Sequence, residues 1–127
     1  MSDEKLTASC FCGGVRFSIP ASSIGIIACH CHDCQKMHGN YNVMLGAPRS
    51  EIVFEADATL TWFASSETAK RGFCANCGSR LFKDNLGLDR LMVSAGAINE
   101  PTGKTIIKNL WDASKGDWYA LPQILQA

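Results

Sequence analysis

The sequence lacks the features of a membrane protein, a secreted protein or a polycationic nucleic-acid binder. Its longest apolar stretch, around Ile24 to Cys29, is far shorter than the ~18 residues that predict a membrane-spanning helix. Twelve Lys and Arg residues balance twelve Asp and Glu residues, so there is no basic excess to neutralise nucleic-acid phosphates. The first nine residues contain neither the basic region nor the apolar core of a secretory signal. We therefore expect a cytoplasmic protein with no nucleic-acid and no membrane partner.

The pattern of apolar residues favours strands over helices. The chain has 127 residues, which predicts a single domain spanning residues 1–127. Apolar and polar residues alternate over residues 15–19, 59–62 and 91–95, and turn-forming residues separate these segments at short intervals. We expect a mainly β fold of small antiparallel sheets with at most one short helix, over Asp33–His38, capped by Asp33. The residues after Trp118 are expected to form a loosely held tail.

Cysteine is the residue that the sequence has in excess. All seven cysteines fall in three short windows, which read C-x-C at Cys10 and Cys12, C-x-C-x-x-C from Cys29 through Cys31 to Cys34, and C-x-x-C at Cys74 and Cys77. Disulfides do not persist in the reducing cytoplasm, so this number of cysteines indicates metal or redox chemistry.

The first and last windows together supply four thiolates, the number that completes a tetrahedral structural zinc site. In both windows a glycine, Gly13 or Gly78, follows the second cysteine, at a point where a tight metal-binding turn often requires positive φ. We predict that Cys10, Cys12, Cys74 and Cys77 bind one zinc ion, which would cross-link the first strands to the middle of the chain in the manner of a zinc ribbon.

The central window has three cysteines, Cys29, Cys31 and Cys34, and three protein ligands leave a position open on the metal. Zinc with an open position is the catalytic arrangement, because the ion can take a substrate thiol and hold it as a thiolate. Three thiolates around Zn²⁺ leave a net charge of about −1, whereas four leave about −2, so the three-cysteine site accepts a further ligand more readily. The sequence therefore predicts two zinc ions per chain, one structural and one catalytic.

Three other interpretations of the cysteines stay open. Disulfides are disfavoured by the odd number of cysteines, and a redox C-x-x-C motif is disfavoured because no βαβ pattern surrounds it. The third is a second structural zinc, completed by a side chain near the central window: His30, His32, Asp33 or His38.

As a set, the motifs resemble the glutathione-dependent formaldehyde-activating enzyme family, which includes centromere protein V-like proteins, over nearly the whole chain. The similar segments are SCFCGGVRF at residues 9–17, CHCHDCQKMHG at 29–39, SS at 65–66, RGFCANCGS at 71–79, VSAG at 93–96, WDASK at 111–115 and Trp118. The resemblance implies a fold of small antiparallel sheets stapled by zinc, with the same division of the cysteines into a structural and a catalytic set.

The activity that the resemblance implies is that of a carbon–sulfur lyase, which interconverts glutathione plus formaldehyde with S-(hydroxymethyl)glutathione. A small thiol and a small aldehyde are then the expected substrates. The carboxylates of glutathione require a cationic partner, for which Lys36, Arg71 and Lys115 are candidates by their neighbourhood in sequence. Arg16 and Arg80 lie beside the four-cysteine set and are expected to offset its negative charge.

The alternative function is a non-catalytic zinc-binding module for protein interaction, in which both metals are structural. The balanced charge and the core-type positions of most phenylalanines argue against a module that binds single-stranded nucleic acid.

Overall fold

The computed structural model describes residues 4–23 and 25–125 and arranges them mainly as β-strands. The strands are Lys5–Ser9 (β1), Arg16–Pro20 (β2), Ile26–Cys29 (β3), Asn42–Pro48 (β4), Val53–Ala56 (β5), Leu60–Ala64 (β6), Ala69–Cys74 (β7), Arg80–Asn85 (β8), Arg90–Ser94 (β9) and Ile106–Leu110 (β10). Within the described ranges the only α-helix is His32–His38 (α1), and short 3₁₀ turns span Arg49–Glu51, Ala95–Ala97 and Asp112–Ser114. The predicted mainly β fold with one short helix is confirmed.

The strands form two sheets. One sheet has the order β1-β2-β5, and the larger sheet has the order β10-β3-β4-β9-β8-β7-β6. Neighbouring strands are antiparallel except β10 and β3, which run parallel. The parallel pair brings a late segment of the chain, including Leu110, beside Cys29 at the end of β3. This pairing positions the candidate site.

The main hydrophobic core contains side chains from both sheets. Phe17 of β2 contacts Phe82 of β8 with their ring centroids 4.8 Å apart, and Ile19, Leu45 and Val93 are fully buried in the same cluster. Trp62 of β6 stacks on the other side of Phe82. Because burial removes these apolar side chains from water, this core stabilises the packing of the two sheets.

A second, smaller cluster lies on the other face of the larger sheet. Successive strand residues point to opposite faces, so Ile26 enters the main core whereas Ile27 and Cys29 belong to the second cluster. Helix α1 packs near β4 on this face, where Cys34 and Met44 are buried together. The central cysteines are thus separated from the main core by the sheet itself.

The structure shifts several element boundaries by one or two residues from the sequence prediction, including those of β2 and β6. The helix begins at His32, one residue earlier than expected, and its cap is Cys31, whose Sγ accepts a hydrogen bond from the Cys34 amide, in place of Asp33. Strand β9 ends at Ser94, because Ala95 begins a 3₁₀ turn. No helix in residues 4–23 and 25–125 has the length and hydropathy required to cross a membrane.

Candidate metal centres and active site

The four predicted structural cysteines meet at one point although they come from distant parts of the sequence. Cys10 and Cys12 lie in the turn between β1 and β2, Cys74 ends β7, and Cys77 lies in the turn before β8. The Cys12 Sγ lies 3.6 Å from that of Cys10 and 3.7 Å from that of Cys74, and all four Sγ atoms lie within 4.8 Å of one another. A tetrahedral zinc with Zn–S bonds of about 2.3 Å places its sulfurs about 3.8 Å apart. The group can hold a metal ion and is compatible with zinc.

Two similar turns shape this group. Gly13 and Gly78 both have a φ of 80°, which confirms the positive φ predicted for them and which a residue with a Cβ adopts only at a cost. In each turn the glycine amide donates to the carbonyl of the first cysteine of the pair, Cys10 or Cys74. The closing hydrogen bond spans three residues in the C-x-C turn and four in the C-x-x-C turn, and in both it holds the two cysteines of the pair close together.

Polar neighbours favour the thiolate form in the four-cysteine group. A hydrogen bond from Ser79 lowers the pKa of Cys77 to about 5, and a hydrogen bond from Thr59 lowers the pKa of Cys74. The Val15 amide also donates to the Cys10 Sγ over 3.3 Å. The thiolate is the form that binds a metal, so these hydrogen bonds favour metal binding by the group.

The three central cysteines form a separate group. Cys29 ends β3, Cys31 caps α1 and Cys34 lies in its first turn, with the three Sγ atoms within 4.8 Å of one another. A hydrogen bond between the Cys29 and Cys34 thiols lowers the pKa of Cys29 to about 7 and, together with burial, raises the pKa of Cys34. Cys29 and Cys34 are buried, whereas Cys31 is half-exposed. A ligand from solvent therefore approaches this group on the side of Cys31.

Among the described residues, this group contains no histidine or carboxylate ligand atom. Both ring nitrogens of the fully buried His30 are engaged, Nδ1 with the Tyr119 hydroxyl at 2.6 Å and Nε2 with Asn109 Oδ1 at 2.9 Å. His38 lies at the far end of the helix, where burial and the nearby charges of Arg71, Arg80 and Lys83 lower its pKa to about 4. His32 and Asp33 are exposed. In this geometry the three thiols stand without a fourth side-chain ligand.

Arg71 is the charged side chain closest to the three thiols. It is only 5% exposed, donates from Nη1 to the Cys34 Sγ at 3.5 Å and from Nε to the Ser65 Oγ at 3.3 Å, and forms no ion pair with a carboxylate of the described chain. A buried cation requires polar partners, and the Cys34 sulfur and the Ser65 hydroxyl accept its hydrogen bonds here. Arg71, expected from the sequence to meet a substrate carboxylate, thus lies against the cysteine group itself.

The other predicted cations have different surroundings. Lys36 is exposed on α1, and the Lys115 Nζ is occupied by the backbone carbonyls of Gly116 and Tyr119. Arg16 pairs with Glu55 at 3.2 Å and donates to the Gly13 carbonyl. Arg80 donates from Nε to the Met37 carbonyl and lines a cavity of about 630 Å³. No acidic side chain is among the described residues that line this cavity. Of these cations, Arg16 and Arg80 each line a cavity, and Arg16 is already paired with Glu55.

The C-terminal segment is more firmly held than expected. Tyr119 bonds to His30, and the Asn109 side chain donates to the Pro122 carbonyl at 3.1 Å. Gln35 donates to the His30 carbonyl at 2.8 Å and to the Ser114 carbonyl at 2.5 Å. The prediction of a loosely held tail directly after Trp118 was wrong, because these hydrogen bonds attach it to the segment that carries the central cysteines.

Comparison with known proteins gives a family and a structural neighbour. Residues 5–114 match the family described as glutathione-dependent formaldehyde-activating enzyme. The chain belongs to this family. A crystal structure of a Rhodobacter sphaeroides protein shares the fold, with a TM-score of 0.66 over 81% of this chain and 98% of that chain and a sequence identity of 19%.

Membership of the glutathione-dependent formaldehyde-activating enzyme family confirms the resemblance inferred from the cysteine motifs. The family is one of enzymes of the carbon–sulfur lyase type, and the matched residues include both cysteine groups. The Rhodobacter structure, at 19% identity, supports the fold alone.

Proposed function

We propose that this chain is a zinc-dependent carbon–sulfur lyase that interconverts a thiol plus an aldehyde with the S-hydroxymethyl adduct. Glutathione and formaldehyde are the substrates that the family description names. Two zinc ions per chain complete the proposal, one on Cys10, Cys12, Cys74 and Cys77 and one on Cys29, Cys31 and Cys34. The seven free cysteines suit a reducing compartment such as the cytoplasm.

The observation that carries the proposal is the difference between the two cysteine groups. The four-cysteine group has the complete ligand set of a structural site, whereas the three-cysteine group offers three sulfurs and a half-exposed edge at Cys31. A soft thiol sulfur fits the missing position better than an alcohol or a carboxylate does. The geometry of the second group therefore favours a thiol substrate.

Zinc held by three thiolates would supply the Lewis acidity that keeps an added thiol in its thiolate form at neutral pH. Cys29, Cys31 and Cys34 hold the ion, and Arg71 beside Cys34 offsets the negative charge that a further thiolate brings. In the forward direction the substrate sulfur forms a bond to the aldehyde carbon, the carbonyl π pair moves to oxygen, and the thiol proton ends on that oxygen. The reverse reaction breaks the carbon–sulfur bond and releases the aldehyde.

The 630 Å³ cavity supports glutathione as the thiol. Its lining includes Arg80 and neutral polar side chains such as Asn99, and Tyr41 of the same lining contacts the His30 ring at 4.7 Å between centroids. His38, another lining residue, lies close enough to Arg71 for that charge to lower its pKa. The lining includes Cys10 of the four-cysteine group and none of the three central cysteines, and it meets the central segment through Tyr41 and His38. The cavity offers a cation, Arg80, to a carboxylate. We propose that a carboxylate of glutathione binds Arg80 there.

The test is thiol binding to cobalt-substituted protein. Adding glutathione to the cobalt protein is expected to increase the sulfur-to-metal charge-transfer absorption of the three-cysteine site. The zinc form of the protein is expected to accelerate the exchange between glutathione and its hydroxymethyl adduct, which NMR measures. Cys34→Ser is expected to lose both responses because it removes a ligand of the responding site. Arg80→Gln is expected to weaken glutathione binding several-fold while 2-mercaptoethanol binds as before.

Two outcomes would count against the proposal. If no thiol changes the cobalt spectrum, the fourth position is not available, and the protein is better explained as a non-catalytic zinc module for protein interaction. If 2-mercaptoethanol and glutathione bind equally well and Arg80→Gln affects neither, the thiol chemistry stands and glutathione is not the preferred thiol.

A further inference from the structure

Trp111, directly after β10, has a strained backbone that no local packing explains. Its φ of 56° and ψ of 39° make it the one non-glycine residue with positive φ in the part of the chain that the structure describes. A side chain with a Cβ adopts this left-handed conformation only at a cost in free energy. Burial of the indole offsets little of this cost, because the Trp111 side chain is 68% exposed.

The strain is maintained from both sides by the segment that carries the central cysteines. Before Trp111, the Leu110 carbonyl accepts a hydrogen bond from the His30 amide at 2.9 Å. After it, the Ser114 amide donates to the Trp111 carbonyl, and the Gln35 side chain joins the Ser114 carbonyl to that of His30. Strained residues that the surrounding structure fixes in this way cluster at ligand sites.

The strained conformation places the indole where a ligand must approach. A cavity of about 260 Å³ is lined by Trp111, Ser114 and three consecutive residues at the start of the helix, Cys31, His32 and Asp33. Cys31 carries the least buried of the three central thiols. A large aromatic side chain therefore forms one wall of the small space outside the open edge of the three-cysteine group.

We propose that Trp111 is a specificity-determining residue whose indole contacts the carbon that bears the substrate sulfur. This inference rests on the proposed thiol-binding function. The indole limits the space beside Cys31, so a primary thiol, with a CH₂ group next to sulfur, fits there, whereas two methyl groups on that carbon collide with the ring. The site thus selects unbranched thiols, and the cost of the left-handed backbone is tolerated because it puts the ring in this position.

Two substitutions separate the side chain from the backbone strain. Trp111→Gly removes the indole and also the strain, since glycine adopts positive φ freely, so this variant is expected to melt at a temperature equal to or above that of the wild type. Trp111→Ala removes the indole and keeps the strain. Trp111→Phe keeps an aromatic wall and is the conservative control.

The probes are cysteine and penicillamine, which differ by two methyl groups on the carbon bonded to sulfur. Cobalt-substituted wild type and Trp111→Phe are expected to bind cysteine at least tenfold more tightly than penicillamine. Trp111→Gly and Trp111→Ala are expected to lose most of this ratio, with both thiols titrated by the charge-transfer absorption.

An unchanged ratio in Trp111→Gly and Trp111→Ala would overturn the inference and leave the proposed function intact. A wild-type protein that binds cysteine and penicillamine equally would also overturn the inference and leave the proposed function intact. A wild-type protein whose cobalt spectrum responds to no thiol would overturn the proposed function and this inference together.

Discussion

Replacement of Cys74 by serine is expected to unfold the protein, whereas replacement of Cys34 by serine is expected to leave it folded. The four-cysteine group joins the turn between β1 and β2 to the turn between β7 and β8, so a metal bound there would link both sheets. Structural zinc contributes about 10–16 kcal/mol to folding in small zinc domains, which matches or exceeds the typical 5–15 kcal/mol stability of a whole domain. The loss of one ligand removes much of this contribution.

Cys34 provides a matched comparison because it is as fully buried as Cys74. Its group, however, lies on one face of the larger sheet and gathers the end of β3 and the adjoining helix, which are close in sequence. Circular dichroism and thermal melts of the two purified variants measure whether each one is folded and at what temperature it unfolds. A similar collapse of both variants would mean that both metal groups are structural and would contradict the division of roles.

Arg71→Gln is expected to weaken metal binding at the three-cysteine group by about 10- to 100-fold, the range seen when groups that support metal ligands are removed. Three thiolates and Zn²⁺ carry a net charge of about −1, and Arg71 is the buried cation that touches one of these sulfurs. Removing its charge leaves that negative charge uncompensated in a low-dielectric environment. Competition with a chelator for the more weakly held metal gives the affinity.

Arg80→Gln is the control for this experiment. Arg80 lies on the neighbouring strand, is exposed and donates to a backbone carbonyl, so its loss removes the same formal charge without touching a cysteine. The affinity of the Arg80→Gln variant for metal at the three-cysteine group is expected to stay within about twofold of the wild type, because exposed charges are well screened by solvent. Equal loss of affinity in the two variants would show that net charge, and not the contact with Cys34, controls the site.

Much of the fold follows from short-range patterns, and the rest depends on contacts that such patterns do not contain. Alternation identified the regions of β2, β6 and β9 because these strands separate their apolar and polar residues. Strand β4 is buried on both faces over most of its length and therefore shows no alternation. The parallel pairing of β10 with β3 joins segments about 80 residues apart, and no local pattern encodes it.

The cysteine groups were predictable because each contains its own spacing signal, and the structure brings the same two sets of sulfurs together. The residues that support the central cysteines could not be predicted in the same way. Arg71, Asn109 and Tyr119 reach the central segment through strand pairing and the return of the C-terminal segment, and Gln35 of α1 donates to Ser114 of that returning segment. The sequence analysis names Arg71 as a partner for a substrate carboxylate, and its contact with Cys34 was not predicted.

Metal content tests the central claim, the coexistence of a complete and an open cysteine site, most directly. Protein purified under non-oxidising conditions and saturated with zinc is expected to hold two ions per chain, and a chelator is expected to remove the ion of the three-cysteine group first while the fold persists. Saturation at one zinc per chain, or removal of both ions in a single step together with unfolding, would contradict the account.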